Sequence, residues 1–124
     1  MRMLWIFVGG GLGSLARYGM AGWVQNSAGA AFPWGTLAVN ASGCFGIGLL
    51  ATLLAERSAA GPELRLFLLV GILGGYTTFS TFGLESLRLF ESGDWWRGAA
   101  NVLGSMTASL VGVFAGALLG RSLA

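Results

Sequence analysis

Nine consecutive residues, Gly74-Gly75-Tyr76-Thr77-Thr78-Phe79-Ser80-Thr81-Phe82, set two glycines, four serine or threonine hydroxyls and two phenylalanines inside an apolar stretch from about Leu64 to Phe90. Bilayer hydrocarbon holds no water to pair with backbone N–H and C=O groups, so such a passage implies locally broken helix lining a path for an ion or water. Phe79 and Phe82 are three positions apart and, on helix resuming after the break, project from neighbouring points of one side. An aromatic ring has a positive edge, which suits an anion stripped of part of its water. Core packing is the simpler reading of the pair, but packing does not require the adjacent hydroxyls. The break also leaves carbonyls without intrahelical partners, those of Gly74 and Thr77 above all. Converging from two copies, they could hold a hard cation such as sodium; hydrogen bonds from neighbouring helices are the alternative.

Other polar residues stand alone in apolar surroundings. Arg17 lies within the first apolar segment, where a charged arginine costs about 2.5 to 3.5 kcal/mol unless it reaches an interface or a partner. Glu85, near the end of the third segment, is its expected counter-charge, and an arginine in a vestibule would also concentrate anions; snorkelling to the interface is the plainer option. Asn40 sits deep in Leu37-Ala38-Val39-Asn40-Ala41-Ser42-Gly43, behind a helix start at Pro33-Trp34-Gly35-Thr36 with proline in the first turn. Its amide has two donors and two acceptor sites, and either ties helices together or donates to an anion. Asn101, Ser105 and Ser109 recur every four residues, a polar track along one helix face.

The elements that must carry these residues are transmembrane helices. The chain has 124 residues, 55% of them hydrophobic and 10% charged, with a mean hydropathy of +0.74, which marks an integral membrane protein. Four apolar segments, about Met3 to Val24, Pro33 to Ala55, Leu64 to Phe90 and Trp96 to Leu119, match the roughly 20 residues a span requires. The linkers are short: Asn26 to Phe32, Glu56 to Glu63 and Glu91 to Asp94. The reading is one all-α domain over residues 1–124 with the third helix broken near mid-membrane. Trp23, Trp34, Trp95 and Trp96 mark span ends. Glycines four apart, Gly9 with Gly13, Gly71 with Gly75, and Gly112 with Gly116 and Gly120, allow helices to approach closely. Arg2 and the apolar residues after it resemble a signal peptide, but Arg17 and a glycine-rich continuation replace the cleavage site, which makes this a retained first span. Arg2, Arg57, Arg65 and Arg121 fall on one side and Arg97, Arg88 and Arg17 on the other, a weak bias that permits insertion both ways round and hence an antiparallel homodimer.

Composition removes several function classes. Seven arginines against five acids give a net charge of +2, scattered rather than clustered, so no nucleic-acid surface is expected. There is no histidine and no lysine, and Cys44 is alone, which excludes metal clusters, disulfides and Cys/His nucleophiles; an enzyme is not expected. Gly9-x-Gly11-x-Gly13 lacks the glycine spacing, the later acid and the βαβ setting of a dinucleotide fingerprint. The alternative from another class is a small multidrug-type proton-coupled transporter. That mechanism needs a titratable carboxylate at mid-membrane, and Glu85 is the only acid near a span interior. A structural subunit packing by its glycine faces would need no polar track.

Together, Gly-Gly-x-Gly-Ser-x-x-Arg-Tyr in the first span, Gly-Thr-Leu-x-x-Asn-x-x-Gly in the second, and Gly-Gly-x-Thr-Thr-Phe-Ser-Thr-Phe followed by Glu85 in the third resemble the CrcB/Fluc family of fluoride channels. The resemblance covers essentially the whole chain and is looser in the fourth span. It implies a passive channel in a bacterial inner or plasma membrane that exports fluoride from the cytoplasm. It also implies a dual-topology homodimer enclosing two pores, with a structural sodium ion on the dimer axis. Carried over, Phe79 and Phe82 flank fluoride and Asn40 lines the pore. Ser80, Ser105 and Ser109 supply hydroxyls, Thr36 contributes near one end, and Gly74 and Thr77 offer sodium-binding carbonyls. Arg17 belongs to the vestibule and Glu85 to the third-span exit. Val113 stands one turn after Ser109, where a longer track could have continued, and leaves the extent of the fourth-span path open.

Overall fold

The computed structural model describes residues 1–57 and 60–124, and all regular structure among them is helical. The order is α1 (Arg2–Ala28), α2 (Trp34–Glu56), α3 (Pro62–Arg65), a π-helical segment (Leu66–Leu73), α4 (Gly74–Tyr76), α5 (Phe79–Glu91) and α6 (Trp95–Leu123). Of the expected linker from Glu56 to Glu63, Ser58 and Ala59 lie outside the described residues.

Helix ends follow local chemistry and overrun the expected spans. α1 continues through Asn26, where a loop is expected, and stops only before Gly29, whose φ of 94° favours glycine. Gln25 then organises the turn: its amide donates to the carbonyls of Gly29 and Phe32 and accepts from the Gly35 N–H. Pro33 stands just before α2 rather than in its first turn, and its carbonyl accepts from the Leu37 N–H. α6 is capped by Asp94, which stands just before its first residue and whose side chain accepts from the Arg97 N–H. The Arg97 guanidinium donates to the same carboxylate at 2.8 Å, and this hydrogen bond chiefly holds Asp94 below the usual carboxylate range.

Three helical stretches are long and apolar enough to cross a membrane: Trp34–Glu56, Pro62–Glu91 and Trp95–Leu123. Few of their residues are fully buried within the chain, and many large apolar side chains, Val70, Leu103, Val111, Phe114 and Leu118 among them, face outward. α1 is 27 residues long, but its glycines and Arg17 dilute its apolar content. The interior is correspondingly polar. Val39 and Phe82 are the buried large apolar side chains among the described residues, beside buried Thr36, Ser86, Asn101 and Ser105. Such an inside-out distribution suits a solvent of hydrocarbon, where polar groups must find partners within the protein.

Backbones touch where glycines permit. α1 packs on the third stretch with Gly9 against Phe67 and Gly71; a Cβ on Gly75 would lie 2.5 Å from the Gly10 carbonyl oxygen. α2 packs most extensively on α6, through Gly48, Gly112 and Gly116. The third stretch is irregular twice. It widens into π-helix over Leu66–Leu73, where α1 presses on it, and its helical path ends at Tyr76 and resumes at Phe79. Gly74 and Gly75, the expected breakers, are themselves helical. The extended residues are Thr77 (φ −82°, ψ 155°) and Thr78 (φ −148°, ψ 117°). Gly75 is needed for the approach to α1, while a β-branched threonine tolerates extended backbone and can cap the helix that follows.

A Cβ on Gly116 would collide with the Phe45 carbonyl, whereas one on Gly104 meets nothing within 4 Å. Gly116→Ala is therefore expected to cost about 1–3 kcal/mol through overpacking of α2 on α6. Gly104→Ala should leave thermal unfolding in detergent unchanged; equal melting of both variants would contradict the packing account.

Candidate functional site

The site is built on one face of α2. Thr36, Asn40 and Gly43 lie four and three residues apart, and each receives a different part of the third stretch. Thr36 Oγ1 donates to Glu85 Oε1 at 2.6 Å. Asn40 Nδ2 donates to the Thr78 carbonyl at 2.8 Å, while its Oδ1 accepts from the Thr78 N–H at 2.7 Å. Gly43 leaves room for the Thr77 methyl group and the Tyr76 ring. The Ser42 and Tyr76 hydroxyls meet alongside at 2.9 Å. Asn40 thus pairs both backbone groups of one peptide residue in the break, where no helix can pair them. One N–H of its amide remains.

Thr78 also caps α5. Its Oγ1 accepts from the Thr81 N–H at 3.2 Å and donates to Thr81 Oγ1 at 3.0 Å. The first N–H groups of α5, with the positive end of its helix dipole, open beside the break. A cavity of about 230 Å³ lies there, lined by Asn40, Cys44, Thr77, Thr78, Phe79, Phe82, Met106 and Ser109. Phe79 and Phe82 sit with ring centroids 5.5 Å apart and planes at 46°. They differ in setting: Phe82 is 8% exposed and Phe79 75%. Ser80, next to Phe79, is exposed, with its hydroxyl 3.5 Å from that of Thr78.

A larger groove of about 1160 Å³ lies on the α1 side, with Arg17, Thr36, Thr78, Thr81 and Glu85 in its wall. The expected Arg17–Glu85 pair does not form. Arg17 Nε donates to the Gly75 carbonyl at 3.2 Å, and Glu85 takes the Thr36 hydroxyl. The carbonyl end of α4 carries partial negative charge and lies nearer to Arg17 along the third stretch than does Glu85, past the break. Thr77 closes the end of that half-helix by giving both its N–H and its hydroxyl to the Leu73 carbonyl.

The expected track on α6 divides. Ser109 lines the small cavity. Asn101 and Ser105 are buried and bonded to each other, Ser105 Oγ donating to Asn101 Oδ1 at 3.1 Å. Asn101 Nδ2 donates in turn to Ser86 Oγ at 2.9 Å. Ser86 has no place in the sequence reading, yet it follows Phe82 by four residues, as Ser105 follows Asn101. That shared spacing on two neighbouring helices was the available signal.

These features define a small polytopic membrane protein whose polar groups gather around an interrupted helix. Residues 4–117 match the family model described as CrcB-like protein, Camphor Resistance (CrcB), and the chain belongs to that family. It is similar to a fluoride-specific ion channel FluC of Solibacter usitatus (strain Ellin6076), 53% identical over 121 residues that cover 98% of this chain and 99% of the relative. The proteins of the same name from Agrobacterium fabrum (strain C58 / ATCC 33970) and Rhizobium meliloti (strain 1021) are 50% and 46% identical, covering 95% and 98% of this chain and 94% and 97% of their own. This is a multi-pass membrane protein of bacterial type.

Asn40→Leu would leave the Thr78 N–H and carbonyl without their partners, at about 0.5–1.5 kcal/mol for each part-buried bond lost. Asn40→Asp keeps an acceptor for the N–H and loses the donor to the carbonyl. The expected order of thermal stability in detergent is wild type, then Asp, then Leu; a Leu variant as stable as wild type would show that the break needs no such partner.

Proposed function

We propose that the chain forms a passive, fluoride-selective channel that lets fluoride leave the cytoplasm. The carrying observation is the small cavity at the start of α5, which Asn40, Ser109, Phe79 and Phe82 line together, with one N–H of the Asn40 amide left over from its pairing with Thr78. No cationic side chain among the described residues lines it. Fluoride is small and strongly hydrated, so a pore must replace its water with several small donors without binding it too tightly to leave. The names of the close relatives support the same ion. Ser80 and Thr36 stand toward the ends of the path, with Arg17 in the groove as a vestibule charge and Glu85 at the exit of α5. Ser105 stands between Asn101 and Ser109 on the same face of α6, its hydroxyl donating to Asn101 in the absence of an ion.

In this reading the whole chain is one domain of four spans, α1 included on its length, and the interruption at Thr77–Thr78 lies near mid-membrane. Two antiparallel copies enclose two pores. The outward-facing apolar surfaces and the open groove beside the break support a second copy there. The Gly74 and Thr77 carbonyls, at the end of a half-helix and in extended backbone, are hard oxygen donors of the kind sodium takes. Exposed Gly74, where an added Cβ would meet only the Leu69 carbonyl at 3.7 Å, leaves that approach open. Sodium would supply a structural tie between copies.

Reconstituted liposomes should pass fluoride without a proton gradient and exclude chloride; equal chloride flux, or strict dependence on a proton gradient, would overturn the reading. Phe79→Ile and Phe82→Ile should each lower fluoride flux about tenfold or more, a change of roughly 1.4 kcal/mol in the barrier, with dimers intact. Replacing sodium by N-methylglucamine should abolish flux if the carbonyl site is structural, and unchanged flux would remove sodium from the account.

A further inference from the structure

The two halves of the third stretch pack on different neighbours. α4 lies chiefly on α1, where Arg17 Nε donates to the Gly75 carbonyl, whereas α5 packs on α6 and is bonded to α2 through Glu85. α2 bonds to both sides of the break. Asn40 Oδ1 accepts from the Thr78 N–H at 2.7 Å on the α5 side, and the Ser42 hydroxyl meets that of Tyr76 at 2.9 Å on the α4 side. At about 100° per residue, Gly43 lies about 60° and Ser42 about 160° round α2 from Asn40, in the same direction. Tyr76 spans that arc: its ring lies over Gly43, where an added Cβ would be 3.0 Å from ring carbon Cδ1, and its hydroxyl ends at Ser42.

This tie has one hydrogen-bond direction. Ser42 has a single hydroxyl hydrogen and gives it to the Val39 carbonyl at 3.1 Å, so Tyr76 is the donor of the pair and Ser42 Oγ the acceptor. Both hydroxyl hydrogens are then used, and the pair needs no water although Ser42 is exposed on the outside of the chain. Bonds within the half-helix do not replace the tie. Thr77 gives its N–H and its hydroxyl to the Leu73 carbonyl of its own stretch, which closes α4 without fixing it to a neighbour.

Between the two α2 ties lies the peptide that joins Thr77 to Thr78. Its N–H goes to Asn40, and in a trans peptide the C=O points opposite to the N–H, so the Thr77 carbonyl is turned away from Asn40. That carbonyl takes no hydrogen bond among the described residues. Asn40 thus sets its direction, while its position follows from where the end of α4 stands against α2, which the Tyr76 hydroxyl fixes.

We propose that Tyr76 is a positioning residue for the cation site: by donating to Ser42 it clamps the end of α4 to α2 and holds the Thr77 carbonyl where a hard cation can take it, without touching the cation itself. This rests on the sodium reading of the Gly74 and Thr77 carbonyls and names the side chains that set the affinity of that site.

The test titrates sodium into protein purified in N-methylglucamine chloride, at constant ionic strength, for wild type, Tyr76→Phe, Ser42→Ala, the double variant and Ser42→Thr. Melting in detergent, which a bound ion raises, and fluoride flux in liposomes are both followed. Tyr76→Phe and Ser42→Ala should each raise the half-saturating sodium concentration by up to about tenfold, the worth of one hydrogen bond. Flux at saturating sodium and the half-saturating fluoride concentration should stay as in wild type. The double variant should be little worse than either single one, because both remove the same bond. Ser42→Thr, which keeps the hydroxyl, should retain the wild-type sodium dependence. Variants that melt lower by the same amount with and without sodium, at an unchanged sodium midpoint, would show a merely structural bond and overturn the proposal. So would additive shifts in the double variant, or a moved fluoride half-saturation. Should Tyr76→Phe fail to fold, Ser42→Ala against Ser42→Thr still decides. A wild type whose melting and flux ignore sodium overturns the sodium reading and the proposal with it, whereas a sodium-responsive wild type with unaffected variants overturns the proposal alone.

Discussion

The pairing of Asn40 with the peptide groups of Thr78 is the contact on which the rest of this structure depends. Extended backbone inside an apolar environment exposes an N–H and a carbonyl that cost several kcal/mol if left bare. One primary amide offers a donor and an acceptor side by side, and Asn40 applies them to both groups at 2.7 and 2.8 Å. With that peptide satisfied from α2, the chain can leave one helix axis and start another. Thr78 then serves as the cap of the new helix through its hydroxyl. A break built in this way has two half-helix ends close together, one rich in carbonyls and one rich in N–H groups, and each end attracts an ion of opposite sign.

Holding such a break demands close helices, and the glycines supply them. α1 reaches the Gly75 carbonyl with Arg17 because Gly9, Gly13 and Gly75 let the two backbones nearly touch. α2 can present Asn40 to the break because Gly43, one turn on, has no side chain to keep Thr77 and Tyr76 away. Close packing also explains why little apolar side chain is buried. The stabilising contacts are backbone against backbone and polar group against polar group, while the large apolar residues face outward, as the transfer properties of a hydrocarbon solvent require.

Much of this was legible in the sequence because hydrocarbon makes polar residues conspicuous. The Gly74–Phe82 motif, Asn40, Arg17 and the small-residue spacings all stand out against apolar surroundings, and all fall at structural junctions. What misled was the assumption that glycine breaks helix. Gly74 and Gly75 remain helical because Gly75 answers a packing demand from α1, and the extended residues are the two threonines that follow. Partner choice was also out of reach. Charge alone joins Arg17 to Glu85, but the observed partners are a carbonyl and a hydroxyl, fixed by how far along the third stretch each group lies. Beyond its four-residue spacing from Phe82, Ser86 carried little signal, since a single serine in a helix most often bonds its own preceding turn, as this one does.

The same inventory separates polar groups bonded to one another within the chain from those that line a cavity. Thr36, Ser86, Asn101 and Ser105 have hydrogens directed at protein acceptors, and three of these four form a single line ending on the Phe82 carbonyl. Asn40, Ser109, Phe79 and Phe82 line one cavity, and Ser109 has no side-chain hydrogen bond among the described residues. A periodic row of hydroxyls on a helix is therefore not evidence of a continuous ion path, because periodicity sets which side chains share a face and says nothing about where their hydrogens go. The direction of each hydrogen bond decides that. In a pore for an anion, a hydroxyl acts as a ligand only when its hydrogen turns toward the ion, so the competing acceptors around it matter as much as its place on the helix.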